Sequence, residues 1–290
     1  MEERVRGFDG ATVRGSGVRA LAVLLALLAP LTVFAQSPQF EAASVKPNRS
    51  GTPGMEIRVT PNGGFIATNA PLLTLIREAF RIQEYQLIDV PAWAGSERFD
   101  IVARAPGTTP DQLQPMLQAL LKDRFRLAVR RETRELPIYV AERSRADGRL
   151  GPRLESTAAE YTTYCVSQRL PQDSRPPADP SRVCGMQTSL GTIRAGDSTL
   201  APLFRFVSQQ AGRAIVDRTG LAGNYNFDLK WTPDQFANRE TPAVVNGNTI
   251  DPQGPSLFTA LQEQLGLKLD PQRGPVDVIV VERLERPGED

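Results

Sequence analysis

Carboxylates are the side chains in this sequence whose placement most invites catalysis. Asp100 and Asp228 each follow a phenylalanine, Phe99 and Phe227, in matching surroundings. Two carboxyl groups about 5–9.5 Å apart can cleave a glycosidic bond, one as acid and the other as base or nucleophile. These two belong to separate stretches of chain and could meet only across an interface between them. Taken singly, each reads as an outward strand residue bonding nearby backbone or an arginine. Asp89 and Asp217 precede turns and read the same way. Arg218 interrupts Asp217-Arg218-Thr219-Gly220, and Val90-Pro91 follows Asp89, which excludes an aspartic-protease pair of loops.

Other chemistries lack their residues. The chain of 290 residues has no histidine, so Ser-His-Asp and Cys-His triads and histidine metal sites are excluded. No Ser-x-x-Lys motif and no glycine-rich phosphate loop is present. With 34 basic and 33 acidic side chains, the net charge of +1 gives no footprint for nucleic acid. Cys165 and Cys184 are the only cysteines, and in an exported protein a lone pair reads as one disulfide. It would restrain a loop rich in Pro, Ser and Arg, by about 3 kcal/mol on a chain-entropy estimate. The expectation is therefore a chain without catalytic, cofactor-binding or metal-binding residues.

Candidate binding residues remain. Trp93 lies near a loop tip and Trp231 at a strand end, where an aromatic side chain either anchors a partner or plugs the end of a core. Arg131, Arg134 and Glu135 belong to a mixed-charge turn, a solvated surface or the rim of an interface.

The elements that position these residues come from an internal repeat. Gly63 to Ala105, moved forward by 128 residues, lies on Gly191 to Pro233 without a gap. Identities include Gly63/Gly191, Leu72/Leu200, Leu75/Leu203, Arg77/Arg205, Gly95/Gly223, Phe99/Phe227 and Asp100/Asp228. A repeat of this length is one folded unit duplicated. In the first unit, Asn69 and Pro71 open a helix with Leu72, Leu75, Ile76 and Ala79 on one face. A second helix spans Pro110–Lys122, and strands Phe125–Arg131 and Leu136–Glu142 flank the turn Glu132–Glu135. The second unit repeats this, with a helix over Ser256–Gln264 and strands at Leu267–Leu269 and Val276–Leu284. Each unit reads β-α-β-β-α-β-β, so the fold class is α+β: two tandem repeats forming small mixed sheets with helices on one face. The expected organisation is a signal peptide at 1–35, the first repeat at 36–145, a Pro-rich disulfide-containing insertion at 146–187, and the second repeat at 188–290. A mobile polar linker occupies 232–254.

Residues 1–35 carry Arg14 and Arg19 before the apolar run Ala20 to Val33, then Val33-Phe34-Ala35 ahead of Gln36. This is the pattern of a cleaved export signal. The run is short for a bilayer span of about 20 residues, so membrane contact is expected only if the signal stays uncleaved.

The run Leu200 to Leu284 resembles the secretin and TonB short N-terminal domain, through Leu200-Ala201-Pro202-Leu203, Gly212 to Val216, Gly220 to Gly223 and Leu265 to Leu269. That likeness implies a small envelope module packing against other proteins. Phe40 to Pro47, Asp123-Arg124-Phe125, Arg131 to Pro137, Val216 to Leu221 and Phe227-Asp228-Leu229 carry a closer likeness. It is to a family described as soil-associated exported proteins of unknown function, some members of which are joined to membrane-embedded sensor-type peptidases. Together these imply an extracytoplasmic protein, periplasmic or secreted, that binds an envelope protein partner or serves assembly. The alternatives are a carboxylate-based extracellular hydrolase and a sensor domain acting with a membrane peptidase.

Overall fold

Gly63 and Gly191 take left-handed backbones, φ 79° and 73°, at equivalent hairpin turns. Only glycine adopts that conformation without strain, which accounts for one repeat identity directly. The structure is a computed structural model that describes residues 38–60, 63–107, 109–176, 178–179, 181–245 and 248–288; the segment 1–35 lies outside them.

The first unit contains β1 (Ala42–Pro47), β2 (Glu56–Val59), β3 (Phe65–Pro71), α1 (Leu72–Phe80), β4 (Leu87–Ile88), α2 (Trp93–Ser96), β5 (Arg98–Arg104), α3 (Pro110–Phe125) and β6 (Ala128–Arg143). The second contains β7 (Leu154–Ser156), α4 (Ala159–Ser167), β8 (Gly185–Ser189), β9 (Thr192–Ser198), α5 (Ala201–Ala211), β10 (Ala214–Asp217) and β11 (Tyr225–Lys230). It continues with β12 (Ala243–Val245), β13 (Asn248–Ile250), α6 (Leu257–Ala260), a π-turn over Leu261–Leu265, and β14 (Leu267–Arg283).

Two four-stranded sheets share one topology, β1-β5-β3-β2 and β7-β11-β9-β8. Helices pack on one face of each. Leu72, Leu75, Ile76 and Ala79 of α1 are buried with Phe65, Phe99 and Ile101. Burial worth roughly 1.5–3 kcal/mol per large side chain holds a helix too short to be stable alone. Leu200, Leu203, Phe204 and Val207 repeat the pattern against Ile193, Phe227 and Leu229. The stretch 146–187 is partly built into this second sheet, because β7 pairs with β11.

A third sheet, β10-β6-β14-β4, joins the units by exchange. β6 and β14 pair antiparallel along nearly their whole lengths. β10 of the second unit lies parallel to β6 of the first, with Ile215 opposite Tyr139; β4 of the first lies parallel to β14 of the second, with Leu87 opposite Ile279. This is a pseudo-two-fold arrangement centred near the Glu135–Pro275 pair. Each unit completes the other's core: Ile279 and Val281 are buried with the first, Ala141 with the second.

Three local expectations change. The charged stretch Glu132–Glu135 is not a turn but the middle of one continuous strand, and the two expected C-terminal strands of the second unit are likewise one. Pro137, Pro271 and Pro275 resemble turn signals, yet all three fall in alternate cross-strand pairs, which leaves the intervening pairs to carry the ladder. At α1 the N-cap is Pro71, while Asn69 has φ 53° and belongs to a bulge. The stretch 232–254 includes the β12–β13 hairpin, with Ile250 buried.

Candidate functional site

Asp100 and Asp228 lie in different sheets and engage different groups, Asn48 and the Asn69 N–H for Asp100 and Arg153 for Asp228. Their equivalence also shifts. Ala67 and Ala195, repeat-equivalent, pair with Ile101 and Phe227; Ala70 and Ser198 pair with Phe99 and Tyr225. Asp100 therefore corresponds to Asn226, and Asp228 to Val102. The gapless alignment slips by two where unit one forms α2 and unit two forms an irregular turn. Gly95 sits inside α2, whereas its sequence match Gly223 has φ 94°. A slip of two keeps every side chain on its face, so the hydrophobic pattern does not betray it.

Asp100 and Asn226 then share one structural task. In both units two residues of the third strand bulge past one residue of its partner, and the second bulged residue, Asn69 or Asp197, has positive φ of 53° or 49°. The displaced N–H of Asn69 donates to Asp100 Oδ1 at 2.8 Å, and that of Asp197 to Asn226 Oδ1 at 3.0 Å. A bulge leaves a backbone group without its ladder partner, and the side chain supplies the acceptor. Asn48 Nδ2 also donates to both Asp100 oxygens, at 2.8 and 3.0 Å.

The outer sheet faces differ more than their scaffolds. In unit one a row runs Ser44, Val102, Ile66, Arg58 across the four strands. Val102 is 48% exposed, and Thr68 beside it is exposed. In unit two the corresponding positions are Arg153, Asp228, Arg194 and Gln187. There the segment from α4 to β8 folds back over the sheet beside this row, against Gly196 and Asp197, while Arg153, Arg194 and Gln187 stay exposed. A Cβ on Gly196, the counterpart of Thr68, would stand 1.9 Å from the Val183 carbonyl oxygen and 2.6 Å from the Tyr161 hydroxyl. Tyr161 is fixed by a hydrogen bond to the Val183 carbonyl at 3.0 Å, and Arg182 stacks on Tyr161 and Tyr164. The Asp179 carboxyl is held below its usual range, chiefly by the Ser181 hydroxyl. The Cys165–Cys184 disulfide closes the segment, and Thr162 Oγ1 donates to Asp197 at 2.8 Å.

Between this cover and the sheet lies a cleft of about 400 Å³ lined by Arg153, Glu155, Arg194 and Asp228. Arg153 stands 3.7 Å from Asp228 Oδ1, which is buried without a hydrogen-bond donor. A larger cleft of about 800 Å³ lies between the units, lined by Arg77, Arg81, Gln83 and Tyr85 from one and Arg205 and Ser208 from the other. Among the described residues, no group of three or more Asp, Glu, His or Cys is arranged to hold a metal ion.

The binding candidates read from sequence are scattered. Trp93 starts α2 and packs against the first core; Arg286 lies over its ring at 4.9 Å. Arg286 also pairs with Glu97 at 2.7 Å, and that hydrogen bond raises its guanidinium above the usual value. Trp231 packs edge-on against Phe206 in the second core. Arg131 and Glu135 project from the exposed middle of the central sheet, whereas Arg134 lies half-buried, paired with Glu132. Val102 and Ile66 escaped sequence reading, although the alternation that buries Phe99, Ile101 and Ala103 leaves Val102 an apolar residue on the solvent side. Arg77 and Arg205 carried a signal too: they are polar identities in a repeat whose other matched helix positions are core.

No curated protein and no solved structure matches the chain. A family profile described as a protein of unknown function matches residues 73–284. It runs from α1 through β14 and takes in the exchanged strands and the second unit, but not β1, β2 and β3 of the first; the chain accordingly belongs to the family of unknown function DUF3738.

Proposed function

We propose that this protein is an exported, non-catalytic binding or assembly module that works outside the cytoplasm. In this reading a segment of an envelope protein partner packs on the outer face of the first unit's sheet, against Val102 and Ile66 and beside edge strand β2. One observation supports the reading: the protein's own disulfide-closed segment packs over Gly196 on the outer face of unit two's sheet, whereas among the described residues its counterpart Thr68 in unit one is exposed. The charge pattern strengthens it. The row beside the covering segment is ionic, with Asp228 and Arg194 at its centre, and the matching row of unit one is apolar at its centre. An open apolar centre rimmed by Lys46, Arg58 and Arg104 has the composition of an interaction surface. Export rests on the signal-like residues 1–35, and the likenesses to soil-associated exported proteins and to the secretin and TonB module agree with an envelope role.

The test is in-cell photo-crosslinking from position 66 or 58 of the tagged protein, with and without Val102→Glu. The expected result is one dominant captured protein whose capture is lost in Val102→Glu while the variant keeps its melting temperature. Equal capture from Arg153 on the outer face of the second unit's sheet, or capture indifferent to Val102→Glu, would refute the reading.

A second reading, a carboxylate-based hydrolase, draws on one observation: Glu155 and Asp228 line the same cleft. Glu155 opposes Asn226, so it is a diagonal cross-strand neighbour of Asp228, at about 7–8 Å by ordinary sheet geometry. That suits an inverting pair, but Arg153 and Arg194 stand among the acids, and such a pair needs one carboxyl kept protonated. Hydrolysis of an extracellular polymer, abolished by both Glu155→Gln and Asp228→Asn, would establish it.

A further inference from the structure

We propose that the cleft between the two units is a binding site for a small molecule carrying two or more anionic groups, carboxylate or phosphate. The site is separate from the open sheet face and does not depend on a protein partner there. Its charged lining comes from both units. Arg77 on α1 and Arg205 on α5 are repeat-equivalent, and both line the cleft, as does Arg81 at the left-handed cap of α1. Among the described residues no carboxylate pairs with Arg81 or Arg205, and both are exposed. The acids nearby are mostly engaged. Asp217 accepts the Thr219 N–H and hydroxyl at 2.8 and 2.7 Å, and Glu84 takes Arg77 Nη1 at 3.3 Å. Glu78 is exposed at the lining.

One buried donor points to an acceptor from a ligand: Arg77 Nε is buried with no hydrogen-bond partner, and Arg77 lines this cleft. A buried guanidinium N–H without an acceptor is unfavourable, and a ligand oxygen is what would satisfy it. Arginine presents a planar fork of donors matched to carboxylate and phosphate oxygens. Arginines contributed from two units suit a ligand with an anionic group at each end. The Tyr85 hydroxyl donates to Ser208 Oγ at 3.0 Å, and Ser208 Oγ donates to the Arg213 carbonyl at 2.6 Å, a chain that ties the two units together beside the arginines.

The cleft volume of about 800 Å³ is that of a small-molecule site rather than a single ion.

The experiment is calorimetric titration of the mature protein with succinate, citrate and inorganic pyrophosphate at low ionic strength. Expected is saturable binding of at least one probe, weakened about tenfold or more by Arg205→Gln and by Arg81→Gln, and weakened further by added salt. Both arginines are exposed, so these variants keep the fold; unchanged melting curves are the control. Preference for the carboxylates or for pyrophosphate identifies the anion. Binding with equal affinity in the Arg81→Gln/Arg205→Gln double variant overturns the proposal, and so does the absence of binding by all three probes. Either result leaves the partner-binding reading of the open sheet untouched.

Discussion

If Asp100 serves the bulge rather than a reaction, its charge is dispensable and its acceptor oxygen is not. Asp100→Ala removes the acceptor for the Asn69 N–H and for Asn48 Nδ2, bonds of 2.8 to 3.0 Å. An orphaned backbone N–H and a lost charge-assisted bond each cost about 1–3 kcal/mol, and partial exposure of the site favours the low end. The sum is about 2–3 kcal/mol, or roughly 4–12 °C in melting temperature for a domain of this size. Asp100→Asn keeps an oxygen that can accept from both donors, and unit two already uses Asn226 in that place, accepting from the Asp197 N–H at 3.0 Å. That variant should lose less than about 1 kcal/mol. Urea and thermal denaturation followed by circular dichroism would measure both. Were Asp100→Asn as damaging as Asp100→Ala, the carboxylate charge itself would matter and the shared bulge would not explain the residue.

Gly196→Ala places a methyl group 1.9 Å from the Val183 carbonyl oxygen. It should cost about 2–3 kcal/mol in urea denaturation, against less than about 0.5 for Thr68→Ala on the open face. Replacing Cys165 and Cys184 together by alanine should lower stability by about 3 kcal/mol, with limited proteolysis concentrated between those positions; cleavage elsewhere first would show that the cover is held by other means. Residues 38–145 and 146–288, produced separately, should each lack a cooperative thermal transition and regain one when mixed, because each core contains side chains of the other. A cooperative transition in either half alone would contradict the strand exchange.

Much of the fold was legible because it rests on local periodicity. The gapless repeat located β3/β9 and α1/α5, since Leu72, Leu75, Ile76 and Ala79 and their counterparts are fixed by helical spacing and turned out buried. The slip between Asp100 and Asn226 was not legible, because sequence identity at Phe99/Phe227 and Asp100/Asp228 outweighed a two-residue difference in the preceding turn. The exchange of β4 and β10 between units was hidden for a different reason: pairing over long separations leaves no periodic mark in a strand of two to four residues. The same holds for the sites. The disulfide could be read from two cysteines alone, but what the bridged segment covers depends on β7 joining β11.

The exchange bears on the inter-unit cleft. Two tandem units joined by a linker would be free to rock, and a cleft between them would have to close around a ligand at an entropic cost. Here β6 and β14 pair along sixteen residue positions, and β4 and β10 each cross to the opposite long strand. Separating the units would expose Ile279, Val281 and Ala141 and break that ladder. The arginines of α1 and α5 are therefore held on one frame, and a ligand between them meets donors already in place. The outer sheet faces have no such constraint, since each belongs to one unit. That freedom accounts for how one face acquired a covering segment and an ionic row while the other kept Val102 and Ile66 in the open.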